Sequence, residues 1–206
     1  MTAIHPPSAR DDVIVSYLTL RKVVGVLGMA LPVVVAVWGL VLEGRLLPTV
    51  SDYYSLRTRD AFVGILFTIA WFLFTYHGYE RQDDIAGNCA CVLALAVALF
   101  PNRGTPFEAT VHYLSATGLF LVLAYFALFL FTKSGPVQTH AKLLRNRVYR
   151  VCGVVMLVCI ALIAFYQLAL SHTSLAALRP VFWLETTALW AFGFSWFVKG
   201  EAILKD

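Results

Sequence analysis

The chain has 206 residues, 60% of them hydrophobic and 14% charged, with a formal net charge of +4. Apolar residues in that proportion, gathered into long runs with the polar residues at the run ends, exclude a water-soluble globular domain and place the chain in a lipid bilayer.

The first twenty residues, with Asp11, Asp12 and the Pro6-Pro7 pair, read as a cytoplasmic amino-terminal segment. The first apolar run, Arg21 to Glu43, is too long for a signal-peptide core and lacks a small-residue cleavage site, so it reads as a retained signal anchor. Pro32 inside it is a candidate kink, because its ring removes a backbone hydrogen bond. Glu43-Gly-Arg-Leu-Leu-Pro48 closes the run. The second run, Asp60 to Tyr79, and the third, Asp84 to Phe100, are joined by Glu80-Arg-Gln-Asp-Asp84, short enough to force an antiparallel hairpin. Asp83, Asp84 and His77 are the expected helix caps there. Phe100-Pro-Asn-Arg-Gly-Thr-Pro106 closes the third run, and Thr132-Lys-Ser-Gly-Pro136 closes the fourth, which begins at His112. Val151 to Leu170 and Val181 to Lys199 complete the set, followed by a tail at 201–206.

Each run suits the roughly 30 Å hydrocarbon layer, which a helix of about 17 to 25 residues crosses. Barrel strands would alternate in polarity, and the stretch from Ala61 to Phe74 does not. The expected fold class is therefore all-α: a polytopic membrane protein with six transmembrane helices spanning residues 21–200.

With six spans, the two termini and the second and fourth connections share one side, which carries 11 of the 16 Lys and Arg residues. The positive-inside rule puts that side, and both termini, in the cytoplasm. The densest local signal is Lys133, Lys142, Arg145, Arg147 and Arg150. Orientation and contact with anionic headgroups account for it, and no nucleic-acid partner is expected. Cys89, Cys91, Cys152 and Cys159 all fall inside apolar runs, where they act as small packing residues. Cys89 and Cys91 point about 200° apart on a helix and form no ligand pair.

Chemistry concentrates at the opposite, outer end. The first outer connection, Ser51-Asp-Tyr-Tyr-Ser-Leu-Arg-Thr-Arg-Asp60, is polar and aromatic; Tyr53 and Tyr54 are expected at the interface with hydroxyls facing water. Asp60, Gly64, Thr68, Trp71 and Thr75 form a stripe expected to face other helices. His112, Ser115 and Gly118 make a second polar side, and Glu185 with Ala188, Phe192 and Ser195 a third. Asp60, His112 and Glu185 thus share one membrane depth, and an ionisable residue below the interface must be paired, hydrated or functional.

Several chemistries use these residues. A metal hydrolase would ligate through Asp60, His112 and Glu185, with His172 as a fourth donor, but no His-Glu-x-x-His pattern is present. A metal-free hydrolase would need Ser115 activated by His112, without a nucleophile elbow. Transport would need a polar path and the discontinuous repeats that are missing here. Haem ligation by His77 and His112 fails because they lie at opposite ends of their spans.

Ser51 to Gly64, together with Leu99-Phe-Pro101, His112-Tyr-Leu-Ser-Ala116 and Phe182-Trp-Leu-Glu185, resembles small, largely uncharacterised multispan bacterial inner-membrane proteins over roughly residues 21 to 200. That resemblance carries no established activity. The polar Ser, Asp and His residues are also similar to those of alkaline-ceramidase-like hydrolases, but the carboxyl-terminal His-x-x-x-His of that group is absent.

The favoured reading is a noncatalytic protein binding membrane lipid, a small amphiphile or a membrane-protein partner in an outer-leaflet recess. Arg57, Asp60, His112 and Glu185 supply polarity there, and Tyr53, Tyr54 and Trp183 contact the less polar part. A membrane-embedded lipid hydrolase and a small-solute transporter are the alternatives. No cofactor, metal or catalytic residue is expected on the favoured reading.

Overall fold

The computed structural model describes residues 9–78, 80–135 and 139–204, with backbone alone for 9–16. Six helices follow one another: α1 (Ala9–Glu43), α2 (Arg59–Phe74), α3 (Arg81–Leu99), α4 (Pro106–Tyr125), α5 (His140–Phe165) and α6 (Pro180–Lys199). Wider π turns extend α4 over Phe126–Leu130 and α5 over Tyr166–Leu170. Short 3-10 helices at Ser51–Ser55 and Ser174–Leu178 occupy the α1–α2 and α5–α6 connections. The chain is an all-α polytopic membrane protein. Among the described residues, five helices are long and apolar enough to cross a bilayer.

Local chemistry sets the helix ends. Gly44 adopts φ +64° just past α1, and its N–H donates to the Leu40 carbonyl at 3.0 Å, a left-handed stop that a side chain would disfavour. α4 starts with Pro106 in a capping box: Thr105 Oγ1 accepts from the Glu108 N–H, and Glu108 Oε2 accepts from the Thr105 N–H at 2.6 Å. Glu80 and Asp83 form the equivalent box on α3. Asp83 therefore caps as expected, while His77 Nδ1 bonds locally to the Thr75 carbonyl.

Several boundaries differ from the apolar runs. α1 begins at Ala9, α4 at Pro106 and α5 at His140, each ahead of its run, because hydropathy marks the lipid-facing part of a helix and not its first turn. The residues from Lys142 to Arg150 consequently lie on α5 and not in a connection, which suits Lys and Arg as helix formers. α2, at 16 residues, is shorter than its run. It stops at Phe74, and the following Tyr76 is buried among the rings of Trp196 and Phe126. The expected second-run end at Tyr79 and the breaker Pro136 lie outside the described residues, as do residues 1–8 and 205–206 of the two terminal segments.

Each helix packs against its neighbours in sequence, and α6 returns to α1, closing a ring. Within a bilayer, apolar burial gives no net drive between helices, so close backbone approach and satisfied polar groups must hold the ring. Glycine supplies the approach. A Cβ on Gly193 of α6 would stand 2.5 Å from the Gly25 carbonyl of α1, one on Gly87 of α3 would stand 2.7 Å from the Leu73 carbonyl of α2, and one on Gly153 of α5 would collide with Leu128 at the foot of α4. An aromatic cluster fills the ring towards one end, with Trp196 at 5.1 Å from Tyr76 and 5.2 Å from Phe131, and Phe131 at 5.4 Å from Tyr149.

That end gathers the start of the first span, the α2–α3 and α4–α5 connections and residues 200–204. Tyr17 donates to the His77 carbonyl, Gly200 sits on Lys22, and Arg145 Nη1 donates to the Leu204 carbonyl at 3.1 Å. The chain thus crosses the bundle an even number of times.

The stripe from Asp60 to Thr75 does not face the bundle. Asp60, Gly64, Thr68, Trp71 and Thr75 are all exposed, and α2 buries Phe62, Leu66, Ile69, Ala70 and Leu73 instead. Thr68 Oγ1 donates to the Gly64 carbonyl at 2.8 Å and Thr75 Oγ1 to the Phe72 carbonyl at 3.1 Å, so these hydroxyls are satisfied within their own helix and tolerate lipid. The α6 stripe is buried as its spacing implies: Ala188, Phe192 and Ser195 are all 1% exposed or less. Of the cysteines, Cys91, Cys152 and Cys159 are buried and Cys89 is exposed.

Candidate functional site

The end of the bundle opposite residues 200–204, expected to be the outer one, is built on the connection between α1 and α2. Asp52 is buried there, and its carboxylate receives Arg103 Nε at 2.6 Å, Arg103 Nη2 at 2.7 Å and Asn102 Nδ2 at 2.8 Å. This fork ties the first outer connection to the turn between α3 and α4, and hydrogen bonding to Asp52 raises the guanidinium pKa above its ordinary value. Thr58 Oγ1 donates to the Tyr53 carbonyl at 2.8 Å, closing the connection on itself.

Tyr53 and Tyr54 are buried, contrary to the expected interfacial placement. The Tyr53 hydroxyl accepts from the Leu47 N–H at 3.1 Å, its ring packs on Gly39 and Phe182, and burial pushes its phenol above the ordinary value. The Tyr54 hydroxyl donates to the Leu99 carbonyl at 3.0 Å and accepts from Arg59, whose guanidinium carbon lies 4.8 Å from the ring centre. In both cases the backbone groups of a buried connection need partners, and the tyrosines provide them.

Glu185, one turn into α6, reaches the same connection. Its Oε2 accepts from the Val50 N–H at 2.6 Å, at the start of the 3-10 helix, and Phe182 N–H donates to the Pro48 carbonyl at 3.0 Å. His112 is fully buried on α4, with Nδ1 at 2.7 Å from the Phe100 carbonyl and Nε2 without a hydrogen-bond partner. Arg57 and Asp60 are exposed at this end, as is Trp183, whose ring meets Phe182 edge-on at 5.1 Å. Among the described residues no hydrogen bond or ion pair joins Asp60, His112 and Glu185, none joins His112 to Ser115, and no three His, Cys, Asp or Glu residues converge as metal ligands.

A cavity of about 450 Å³ lies beside Glu185. It opens where α4 and α5 part: they touch at the opposite end through Gly153 and Leu128, but here Ala116, Thr117 and Phe120 stand away from Ile160, Ile163 and Gln167. The extension of α5 beside it buries none of residues 166–170, so one flank of the cavity is an exposed helix end. Its polar groups, from Glu185, Thr49, Thr117, Tyr113 and Gln167, accompany a largely aliphatic wall, the mixture expected of an amphiphile site. A second, far smaller space of about 60 Å³ lies inward of Glu185, between Leu66, Leu119 and Phe192.

No protein-family model, curated protein or solved structure matches this chain. The polytopic helical fold therefore stands on the chain itself.

Sequence reasoning singled out Glu185 but missed Asp52 and the α4–α5 face. Gln167 was the available signal for that face, an amide within an apolar run. Asp52 carried no comparable mark, because its partners are 50 residues away in another connection.

Proposed function

We propose that this is a noncatalytic inner-membrane protein of a bacterium, with both termini cytoplasmic, that holds a lipid or small amphiphile in the outer cavity between α4, α5 and α6. The observation that carries the reading is the 450 Å³ space beside Glu185, lined by a few polar groups within a largely apolar wall and flanked by the exposed end of α5. The acid of Glu185 favours an occupant whose head donates hydrogen bonds, as a primary amine does, and the two threonine hydroxyls and the amide, each donor and acceptor, complete its contacts. Its chain lies along Ile160 and Ile163. Tyr53, Tyr54 and His112 serve this site by fixing the connections, while Arg57, Asp60 and Trp183 offer contacts at headgroup level. The orientation rests on the basic-residue bias towards the opposite end.

Native mass spectrometry of protein drawn gently from nanodiscs holding equal phosphatidylethanolamine and phosphatidylglycerol tests the proposal. The amine lipid should be retained in preference, and its occupancy should fall in Ala116→Leu, which fills the cavity, and in Glu185→Gln, which still accepts from Val50 but replaces the acid with an amide. Equal retention of both lipids by folded wild-type and variant protein would overturn it.

A further inference from the structure

The helices do not present equal heights of apolar surface to the bilayer. α1 carries Val23 to Leu42 between Lys22 and Glu43, 20 residues, and α5 with its extension carries Val151 to Leu170 between Arg150 and Ser171, also 20. At the helical rise each stretch stands about 30 Å tall, the thickness of the hydrocarbon layer. α2 carries only Ala61 to Phe74 between Asp60 and Thr75, 14 residues or about 21 Å. On α3 the exposed Gln82 and Asn88 leave Cys89 to Leu99 beyond them, 11 residues or about 16 Å.

The shortfall between α1 and α2 lies at one end. The Arg21 guanidinium stands 5.4 Å from the Tyr76 ring, and Gly87 lies against the Leu73 carbonyl, so the apolar stretches of α1, α2 and α3 begin at a common level near residues 200–204. At the other end they part. The α1–α2 connection folds back along α1 until the Tyr53 ring meets Gly39, which sets the exposed Arg57, Arg59 and Asp60 below the exposed Leu40, Val41 and Leu42. The Tyr54 hydroxyl on the Leu99 carbonyl and the Asp52 fork on Arg103 hold the α3–α4 turn at that lower level. The apolar belt thus steps down from α1 to α2 by about 9 Å, the difference between 20 and 14 residues.

Charged groups below the hydrocarbon edge are costly, and a short apolar stretch is met by snorkelling, by association or by thinning of the bilayer. Snorkelling is restrained, because Arg59 is bonded to Tyr54 and Arg103 to Asp52, and the Asp60 side chain is too short to climb the step. Association has no polar group to satisfy along α2: Thr68 and Thr75 close on their own helix, and the exposed rings of Trp71 and Phe74 suit acyl chains.

We infer that the α2–α3 face is a bilayer-thinning surface, where the phospholipid leaflet at the end opposite residues 200–204 dips and brings its headgroups down to Arg57, Asp60 and Arg103. This face lies apart from the cavity between α4, α5 and α6, and the dip forms whether or not that cavity is filled.

Nitroxide labels on Val33→Cys and Gly64→Cys, each in a cysteine-free full-length protein in dioleoylphosphatidylcholine vesicles, read local depth by power-saturation electron paramagnetic resonance with oxygen and a nickel chelate. Val33 lies 12 residues beyond Arg21 and Gly64 lies 12 before Tyr76, so the two positions stand at one height in the bundle. Both are exposed, and a Cβ at Gly64 meets nothing within 4 Å, so neither label disturbs the packing. The label at position 64 should read shallower than the label at position 33, by up to about 9 Å. Arg57→Leu combined with Asp60→Leu raises the apolar edge and should sink the label at 64 towards the depth of its counterpart. Equal depths without those substitutions would mean a flat bilayer and overturn the inference. Shielding of position 64 from both relaxants, with spin–spin broadening, would place a second copy on the face and overturn it as well. So would a label at 64 that stays shallow in the double variant, because the charged edge would then not set the dip.

Discussion

Asp52 has 4% of its side chain exposed, whereas its partner Arg103 keeps 60%. Removing either partner breaks the same fork but leaves different remnants. Arg103→Met strands a buried carboxylate on Asn102 alone, a loss of about 3–5 kcal/mol, while Asp52→Asn leaves an arginine that water can solvate, a loss of about 1–3 kcal/mol. Chemical denaturation in detergent should rank the two in that order, and the reverse order would contradict the assigned burial. Lys133 gives a pH test. Partial burial pulls its ammonium down, but hydrogen bonds to Glu80 and Asp83 outweigh that and hold it above its ordinary 10.5. Its contribution is therefore complete below the ordinary value and is lost as pH rises through the raised one. Lys133→Met should be less stable at neutral pH and lose less on going alkaline; parallel stability curves would remove the pairing.

Between helices, the Gly25–Gly193 contact makes the sharpest demand. Gly193→Ala drives a methyl against the Gly25 carbonyl and Met29, forcing α1 and α6 apart at a cost of about 1–3 kcal/mol. Gly64→Ala meets nothing within 4 Å and should gain roughly 0.5–1 kcal/mol from helix propensity. Thermal unfolding of both variants checks the pair, and a neutral Gly193→Ala would mean that the ring is not closed there. Helix existence was legible from the apolar runs, but helix facing was not. Gly64, Thr68 and Thr75 read as an inward stripe because small and polar residues often mark contacts, yet each hydroxyl closes on its own helix and the stripe faces out. The true contact glycines Gly25 and Gly193 sit among apolar residues that look alike on every side, and Gly87 lies in the polar start of α3, where nothing marks it as a contact. Starts at Pro106 and His140 were hidden for another reason: caps and basic turns lie outside the runs that hydropathy detects.

At the scale of the whole molecule, the ring has two chemically different ends. The sequence showed both as charge, basic at the end with the termini and mixed at the other, but it did not show that the mixed end encloses a cavity. Cavities arise where helices diverge, and divergence depends on pairs such as Gly153 and Leu128 that are far apart in sequence. Labelling of single cysteines introduced into a cysteine-free background should modify the exposed positions 45 and 174 from outside intact cells and position 134 only after permeabilisation. External reaction at position 134 would invert the orientation. The central claim concerns the outer cavity, and an experimental density map of the protein in lipid tests it most directly. The account predicts an elongated density between α4 and α5 with its head at Glu185 and its tail along Ile160 and Ile163. A map in which α4 and α5 close on each other at that depth, leaving Glu185 sealed against Val50 with no space beside it, would contradict it.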